Sequence, residues 1–167
     1  MDQQLLFGLL EKVKNGEISI EEAISKLQKF PYDNIEDIVR LDNQRALRCG
    51  FPEVVLVVGK SVDQLFRIVE VMLSQQTDLL ITRIDEAKAT FLLQKFPMLT
   101  YNTLARTLTY SQTPKPKEGN VLVVSAGTAD VPVAEEAVVT AEMMGAKVTK
   151  IFDVGVAGLH RLLDKID

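Results

Sequence analysis

The chain has few of the residues that build disulfides and metal centres. Its 167 residues include a single cysteine, Cys49, and a single histidine, His160. One cysteine excludes an internal disulfide framework and a thiolate-rich zinc site, and one histidine excludes a multi-histidine site. We therefore expect no metal centre in this chain.

Long apolar runs and an excess of positive charge are absent as well. No uninterrupted hydrophobic stretch approaches the roughly 20 residues of a membrane span, and the first residues, MDQQ, lack the basic lead-in of a secretory signal peptide. The net charge is -4, which gives no bulk attraction to a phosphate backbone. These absences predict a cytoplasmic protein that binds neither membranes nor nucleic acids.

The rest of the composition is typical of a folded protein. Hydrophobic residues make up 47% of the chain and charged residues 25%, with a mean hydropathy of +0.10. This apolar content supplies surface for a core, which disordered chains lack. A length of 167 residues fits one medium domain or two small ones.

Apolar periodicity and turn residues divide the chain into four segments. Residues 1–31 are predicted to form a helical hairpin, because leucine and isoleucine recur at helical spacing on both sides of a turn. Residues 32–113 are predicted to form a small α/β domain. Residues 114–119 read PKPKEG and are predicted to be a linker, since proline denies backbone donors to a sheet. Residues 120–167 start a second α/β domain.

The small domain is predicted to contain two strand–helix units. The β-branched run Glu53–Val58 indicates a buried strand, and Leu79–Ile84 indicates a second strand. A helix capped by Ser61 follows the first strand, and Asp85–Phe96 forms the helix after the second. The first helix has one apolar face, made of Leu65, Ile68, Val69 and Met72. Residues 99–111 suggest one or two edge strands.

The second domain is predicted to be the first part of a Rossmann-like or flavodoxin-like parallel sheet with helices on both sides. Its pattern is strand Asn120–Ser125, helix Pro132–Met144, strand Lys147–Asp153 and helix Leu159–Ile166. Parallel strands are normally covered on both faces. Two strands and two helices give too little cover, so we expect apolar surface to remain exposed here.

A loop of small and polar residues, Ser125–Asp130 (SAGTAD), follows the first of these strands. Gly127 would let the backbone approach a ligand, and Ser125 and Thr128 offer hydroxyls. Asp130 would repel a phosphate, so it is expected to cap the helix or to accept from ribose hydroxyls. Ligands of open α/β sheets bind outside the carboxyl ends of strands, although such a loop alone is also an ordinary strand–helix turn.

A second loop follows the next strand. It holds Asp153, Gly155, Gly158, His160 and Arg161 within nine residues. Arginine can grip a phosphate or carboxylate in a forked geometry, and histidine can transfer protons near neutral pH. Either residue alone would more commonly be a surface residue of a terminal helix. Two such loops at adjacent strand ends favour a binding site.

Basic residues also surround the first strand of the small domain. Arg45 and Arg48 lie three residues apart and could clamp an anion, and Lys60 follows the strand. The alternative is an exposed helical turn with charges at i,i+3. Cys49 stands beside Arg48, which could make its thiol reactive, yet a lone cysteine is more commonly a small apolar residue.

Several of these stretches match one known family pattern. They are LDNQRALRCGFPEVV, the turn of residues 59–61 (GKS), LLITR, KNGEISIEEAISKL and above all the run VLVVSAGTADVPVAEEAVVTAEMMGAKVTKIFDVGVAGLHRLL. On these residues the chain resembles the LarB family of nickel-pincer nucleotide cofactor synthesis. The resemblance covers nearly the whole sequence.

The resemblance implies a C-terminal domain like that of carboxyaminoimidazole ribonucleotide mutase. It also implies a carboxylase/hydrolase that serves the maturation of lactate racemase. The pyridinium ring of nicotinate adenine dinucleotide would be carboxylated at C5, with carbon dioxide or bicarbonate as co-substrate. Hydrolysis of the phosphoanhydride would give pyridinium-3,5-biscarboxylate mononucleotide and AMP. No firmly bound cofactor is implied, and a need for Mg²⁺ stays open.

The resemblance further implies that both loops line the nucleotide pocket, whereas the roles of Arg45, Arg48 and Lys60 stay unassigned. The family nucleophile is a cysteine in a segment beyond Asp167, so the role is not transferred to Cys49. The chain is therefore expected to be C-terminally truncated and inactive alone, and the complete family protein to be a homo-oligomer. The alternatives are a noncatalytic nucleotide-binding or assembly module of this fold, and a mutase of purine synthesis.

Overall fold

The computed structural model describes residues 3–28, 32–35, 39–42, 45, 49–112 and 116–164. The chain forms two compact units. The first comprises residues 1–54 and 60–79, and the second comprises residues 55–59 and 80–167. The domain boundary that the sequence suggests near residues 113–119 stays a prediction, and residues 113–115 lie outside the described ranges.

The first unit begins with two helices, α1 (Gln3–Lys14) and α2 (Ile20–Gln28). The Ser19 hydroxyl accepts a hydrogen bond from the Glu22 amide at 3.1 Å, which starts α2 in the manner of an N-cap. The side chains of Leu9 and Ala23 are buried. Both predicted helices of the hairpin are present.

A short antiparallel pair follows, which the sequence did not indicate. Strand β1 (Tyr32–Ile35) pairs with β2 (Val39–Asp42), and Tyr32 lies opposite Asp42 in the register. The letters YDNI and VRLD contain no β-branched apolar run of the kind that marks a strand. Pairing between neighbours, rather than propensity, therefore decides their conformation.

Helix α3 (Val62–Ser74) completes the first unit and begins at Ser61 with a capping box. The Ser61 hydroxyl accepts from the Gln64 amide at 3.2 Å, and the Gln64 side chain accepts from the Ser61 amide at 2.9 Å. These bonds satisfy two amides that the helix itself leaves unpaired. The predicted apolar face is confirmed, because its four members are buried: Leu65, Ile68, Val69 and Met72.

A four-stranded sheet has the strand order β3-β4-β6-β5. Its strands are β3 (Val54–Leu56), β4 (Leu79–Thr82), β5 (Thr100–Asn102) and β6 (Thr107–Tyr110). Strands β5 and β6 form an antiparallel hairpin, with Tyr101 opposite Leu108. The two strands suggested within residues 99–111 are present; β5 lies at the edge, whereas β6 lies between β4 and β5.

The first strand of this sheet differs from its prediction. All four residues of β4 are buried, but burial alternates around β3. Val55 and Val57 are buried, whereas Leu56 is 45% exposed and Val58 is 65% exposed. The prediction of a buried strand therefore holds for one face of β3 only, because the other face, with Leu56 and Val58, is exposed. Strand β3 also lies at an edge of the sheet.

Helix α4 (Glu86–Lys95) begins at Asp85, whose carboxylate accepts from the Lys88 amide at 2.9 Å. This hydrogen bond, aided by the nearby Lys88 ammonium, holds the pKa of Asp85 below its usual value. Because the folded state favours the ionised form, Asp85 contributes stability above the unfolded-state pKa. That contribution is lost as the pH falls through the folded-state pKa.

We expect the Asp85→Asn variant to separate this effect from general acid unfolding. Asparagine keeps the capping oxygen but does not titrate. The melting-temperature advantage of the parent over Asp85→Asn should shrink as the pH falls below about 3.9, the ordinary pKa of aspartate. Thermal melts of both proteins from neutral to strongly acid pH measure it. A difference that stays constant over that range would contradict the role given to Asp85.

The second unit ends in a parallel strand pair, which makes the fold α/β as predicted. Strand β7 (Glu118–Val124) runs parallel to β8 (Ala146–Ile151), and helix α5 (Val131–Met143) connects them. A short helix, α6 (Leu159–Leu163), follows β8. The order strand–helix–strand with parallel pairing is the crossover unit of flavodoxin-like folds.

The parallel pair carries the exposed apolar surface that the sequence predicts. On β7, Val121 is 39% exposed, Leu122 56% and Val124 48%. A parallel pair is stable when both faces are covered, and α5 supplies one helix of cover in the described part of the chain. Among the helices that the structure describes, none is long and apolar enough to cross a membrane.

Candidate functional site

The two polar loops of the second unit lie side by side at the carboxyl ends of β7 and β8. The Ser125 amide donates to the Ile151 carbonyl at 3.0 Å, and the Val154 amide donates to the Ser125 carbonyl at 3.1 Å. These bonds continue the parallel ladder for one step beyond the strands. The loop after β7 therefore has a fixed position relative to the loop after β8, as the topology of parallel strands requires.

Ser125 stands at the centre of this edge and carries an unused hydroxyl. The residue is 6% exposed. Its Oγ atom is buried without a hydrogen-bond partner among the residues that the structure describes. A buried hydroxyl of this kind costs about 1–3 kcal/mol when it stays unpaired. Its position after β7, in a loop of small residues, makes it the strongest sign that a polar ligand belongs here.

The first loop is held together by its own carboxylate. Asp130 accepts from the Gly127 amide through Oδ2 at 3.0 Å, and the Asp130 amide donates to the Gly127 carbonyl at 3.0 Å. The Asp130 side chain makes no capping bond to α5. Its carboxylate instead caps the short 3-10 turn Thr128–Asp130 that leads into α5, by accepting from the Gly127 amide. The alternative that Asp130 accepts from ribose hydroxyls stays a prediction. Thr128 is exposed to solvent.

The second loop is closed by an ion pair. The guanidinium of Arg161 donates through Nη1 to Asp153, at 2.9 Å to Oδ2 and at 3.1 Å to the backbone carbonyl. Asp153 adopts φ +60, a left-handed conformation that aspartate tolerates better than most residues. Both side chains are 49% exposed, so solvent screens the pair and its net contribution to stability is small.

From the sequence, Arg161 is predicted to bind an anion with a free guanidinium. In the structure this guanidinium forms an ion pair with Asp153. An anionic ligand would have to share or replace this contact. His160 precedes Arg161 on α6 and is exposed. It lies within the second loop cluster that the sequence predicts.

The loops pack most closely at one glycine. A Cβ atom on Gly155 would lie 3.0 Å from the Ala126 carbonyl oxygen, which is tighter than most Cβ contacts in proteins, so one loop would have to shift by a few tenths of an ångström. The Ala126 carbonyl belongs to the backbone, so it has little freedom to move away from a Cβ atom. A Cβ atom on Gly158 would meet the Arg161 guanidinium at 2.7 Å, but that group is the end of a flexible side chain. Gly155 is therefore the tighter constraint, and the sequence did not distinguish the two.

The third predicted cluster belongs to the first compact unit. Arg45 is helical and half-buried, and its Nε atom is buried without a partner in the described ranges. Arg48 lies outside the described residues. Cys49 is an exposed free thiol. Glu53 accepts from the Asp42 amide at 2.7 Å, so its carboxylate holds β2 in place. Lys60 is half-buried, and its role stays unassigned.

Metal chemistry has no evident donor set. No group of three or more His, Cys, Asp or Glu side chains suited to a metal ion occurs among the residues described in 3–28, 32–35, 39–42, 45, 49–112 and 116–164. The site is built from hydroxyl, carboxylate, guanidinium and backbone groups, which together suit a polar organic ligand with anionic and hydroxyl parts.

Comparison with known proteins shows what part of the chain is similar to. Residues 32–112 match the family model of the LarB/PurE-like N-terminal domain. This part of the chain is therefore similar to the LarB/PurE family. The family is typically enzymatic, with members of carboxylase or mutase type. The LarB/PurE match thus supports the family that the sequence motifs suggested.

One relative is similar to nearly the whole chain. An uncharacterized protein of Methanocaldococcus jannaschii is 36% identical over 164 residues, which is 94% of this chain and 64% of that protein. The chain therefore spans about two thirds of the length of the relative that it matches. The two loops lie outside the LarB/PurE match at residues 32–112.

Proposed function

We propose that the paired loops bind the nucleotide part of nicotinate adenine dinucleotide, in a LarB-type carboxylase/hydrolase of nickel-pincer nucleotide cofactor synthesis. The single observation that carries the proposal is the buried, unpartnered hydroxyl of Ser125 at the carboxyl edge of β7 and β8. The family match at residues 32–112 supports the reaction class. The resemblance of the loop sequences supports the substrate.

The groups at this edge suit a ribose phosphate. Ser125 can donate one hydrogen bond and accept others. The exposed hydroxyl of Thr128 lies three residues further along the same loop. Asp130, whose second carboxylate oxygen is not used by Gly127, can accept from ribose hydroxyls. Arg161 supplies positive charge for a phosphate if the ligand shares it with Asp153.

The proposed role of this chain is to bind and orient. Carboxylation of a pyridinium ring requires a nucleophile that adds to the ring and makes it electron-rich, so that C5 can form a bond to the carbon of carbon dioxide or bicarbonate. The C5 proton then leaves and the nucleophile is expelled, which restores the pyridinium ring. Cys49 belongs to the first unit and to a different motif, so we do not assign it this role. The loops would hold the ribose phosphate still while the ring reacts, which lowers the entropic part of the barrier.

Calorimetric titration of the 167-residue chain tests the substrate class. Nicotinate adenine dinucleotide, nicotinate mononucleotide, AMP and carboxyaminoimidazole ribonucleotide are compared at one salt concentration. Binding of the first two with little binding of the purine precursor supports the proposal. Preference for carboxyaminoimidazole ribonucleotide would instead favour a mutase of purine synthesis. Failure of every nucleotide to bind would remove the loops as a nucleotide site.

The Ser125→Ala variant is expected to gain stability and lose affinity together. Removing a buried unpaired hydroxyl should raise the free energy of unfolding by up to about 1 kcal/mol. Losing its hydrogen bond to the ligand should weaken binding by about 1–1.5 kcal/mol, or roughly tenfold. Chemical unfolding and calorimetry measure the two effects. The Thr149→Ser variant on exposed β8 is the control and should alter neither quantity appreciably. If Ser125→Ala binds the nucleotide as tightly as the parent, Ser125 is not a ligand group.

A further inference from the structure

A buried carboxylate on α5 contacts side chains from two strands of the second unit, β5 and β8. Glu135 is 7% exposed, and both of its carboxylate oxygens accept from the Lys150 ammonium, at 2.7 and 2.9 Å. Lys150 lies on β8 immediately before Ile151, whose carbonyl accepts from the Ser125 amide. The ion pair therefore fixes α5 against the strand that carries one side of the candidate site.

The same carboxylate reaches the β5–β6 hairpin of the LarB/PurE-like segment. The Asn102 side-chain amide donates to Glu135 Oε1 at 3.4 Å. Asn102 is itself oriented, because its Oδ1 atom accepts from the Ala105 amide at 2.9 Å. A chain of hydrogen bonds thus runs from the hairpin turn through Asn102 and Glu135 to Lys150. The neighbouring Glu136 adds a looser ion pair with Arg83, at 3.6 Å.

Burial of this carboxylate needs an explanation beyond local packing. An ionised group removed from water is costly unless it is paired and hydrogen-bonded, and removing one partner leaves a strongly unfavourable buried charge. Glu135 meets the requirement by combining one partner from β8 with another from β5. Because each partner lies on a different element, the pairing is complete only when the hairpin, α5 and β8 hold their mutual positions.

We infer that Glu135 is a positioning residue that couples the β5–β6 hairpin to the loops at the ends of β7 and β8. It acts through Lys150 and Asn102 and does not contact the ligand. A substitution that weakens the packing of the hairpin should therefore also increase the mobility of the loops, and a substitution on the loop side should do the same to the hairpin. Only the identity of the ligand in the loops depends on the proposed function, and the experiment below is made without ligand, so the two ideas can fail separately.

Hydrogen exchange measured by mass spectrometry on the ligand-free chain tests the coupling. In Lys150→Met, which keeps an apolar stem but removes the charge, amides of residues 100–110 should exchange about tenfold faster or more. Lys150 makes no hydrogen bond to that hairpin in the described contacts except through Glu135. Lys150→Arg retains the charge and should restore slow exchange. Glu142→Gln, which breaks the exposed pair of the same helix with Lys117, is the matched control and should leave the hairpin unchanged.

The reciprocal variant is Asn102→Asp. It keeps the oxygen that accepts from Ala105 but places a carboxylate oxygen against Glu135. Exchange should then rise in residues 125–130 and 153–158, which Asn102 does not contact. This variant also decides the question if Lys150→Met does not fold. Faster exchange confined to α5 and β8 in Lys150→Met, or unchanged loops in Asn102→Asp, would overturn the inference and leave Glu135 a local ion pair.

Discussion

Replacing Gly155 by valine is expected to abolish measurable nucleotide binding, with a loss of about 3 kcal/mol or more than 100-fold in affinity. The first added atom alone would lie 3.0 Å from the Ala126 carbonyl oxygen. A larger residue causes no conformational strain at position 155 itself, because the φ angle of -61 there can be adopted by any residue. The effect is purely steric and forces apart the two loops that form the candidate site. Isothermal titration calorimetry with nicotinate adenine dinucleotide measures it.

Two glycine variants control this result. Gly155→Ala should give a smaller loss, since only the Cβ atom has to be accommodated. Gly8→Ala should leave affinity unchanged, because a Cβ atom there has nothing within 4 Å. Thermal melts of each protein would show whether the valine variant stays folded. A folded Gly155→Val protein that binds the nucleotide like the parent would show that the contact of the two loops does not shape the site.

Replacing Leu108 by alanine is expected to lower the free energy of unfolding by about 2–5 kcal/mol, the range for large-to-small changes in a core. Leu108 lies on β6, between β4 and β5, and its side chain is completely buried. The loss combines apolar surface returned to water with a cavity that a sheet interior closes poorly. Denaturant unfolding measures it, and the melting temperature should fall by roughly 4–20 °C.

Leu104→Ala in the same hairpin is the matched comparison for Leu108→Ala. Leu104 is 48% exposed, so its truncation creates no closed cavity and should cost less than about 1 kcal/mol. Equal losses for the two variants would mean that the interior of this sheet does not carry the stability of the second unit.

The sequence predicted the described helices and most of the strands because their local signals are strong. Helical spacing and a capping serine mark α3, and an aspartate cap marks α4. The pair β1 and β2 escaped prediction because its residues carry no strand signal of their own, and their pairing is a tertiary contact. The position of β3 at a sheet edge was equally hidden, since an apolar run does not record what covers it.

The candidate site divides in the same way. Its loops could be predicted, since small and polar residues after two neighbouring strands of a parallel unit must meet at one edge. The partners of their side chains could not. These partners depend on distances between atoms that the sequence does not contain. Three contacts show this: Arg161 with Asp153, Asp130 with Gly127, and Glu135 with Lys150 and Asn102.

By itself, therefore, the sequence determined the α/β class of this protein, the helices and strands with strong local patterns, and the two loops that hold the candidate site residues. Propensity, capping and hydrophobic period act over a few residues and are written in the chain. Only the tertiary structure decided which faces are covered, that Ser125 keeps an unpaired buried hydroxyl, and that Gly155 permits the loops to touch. Burial and hydrogen-bond partnership are properties of atoms distant in sequence, and they exist only after the chain has folded.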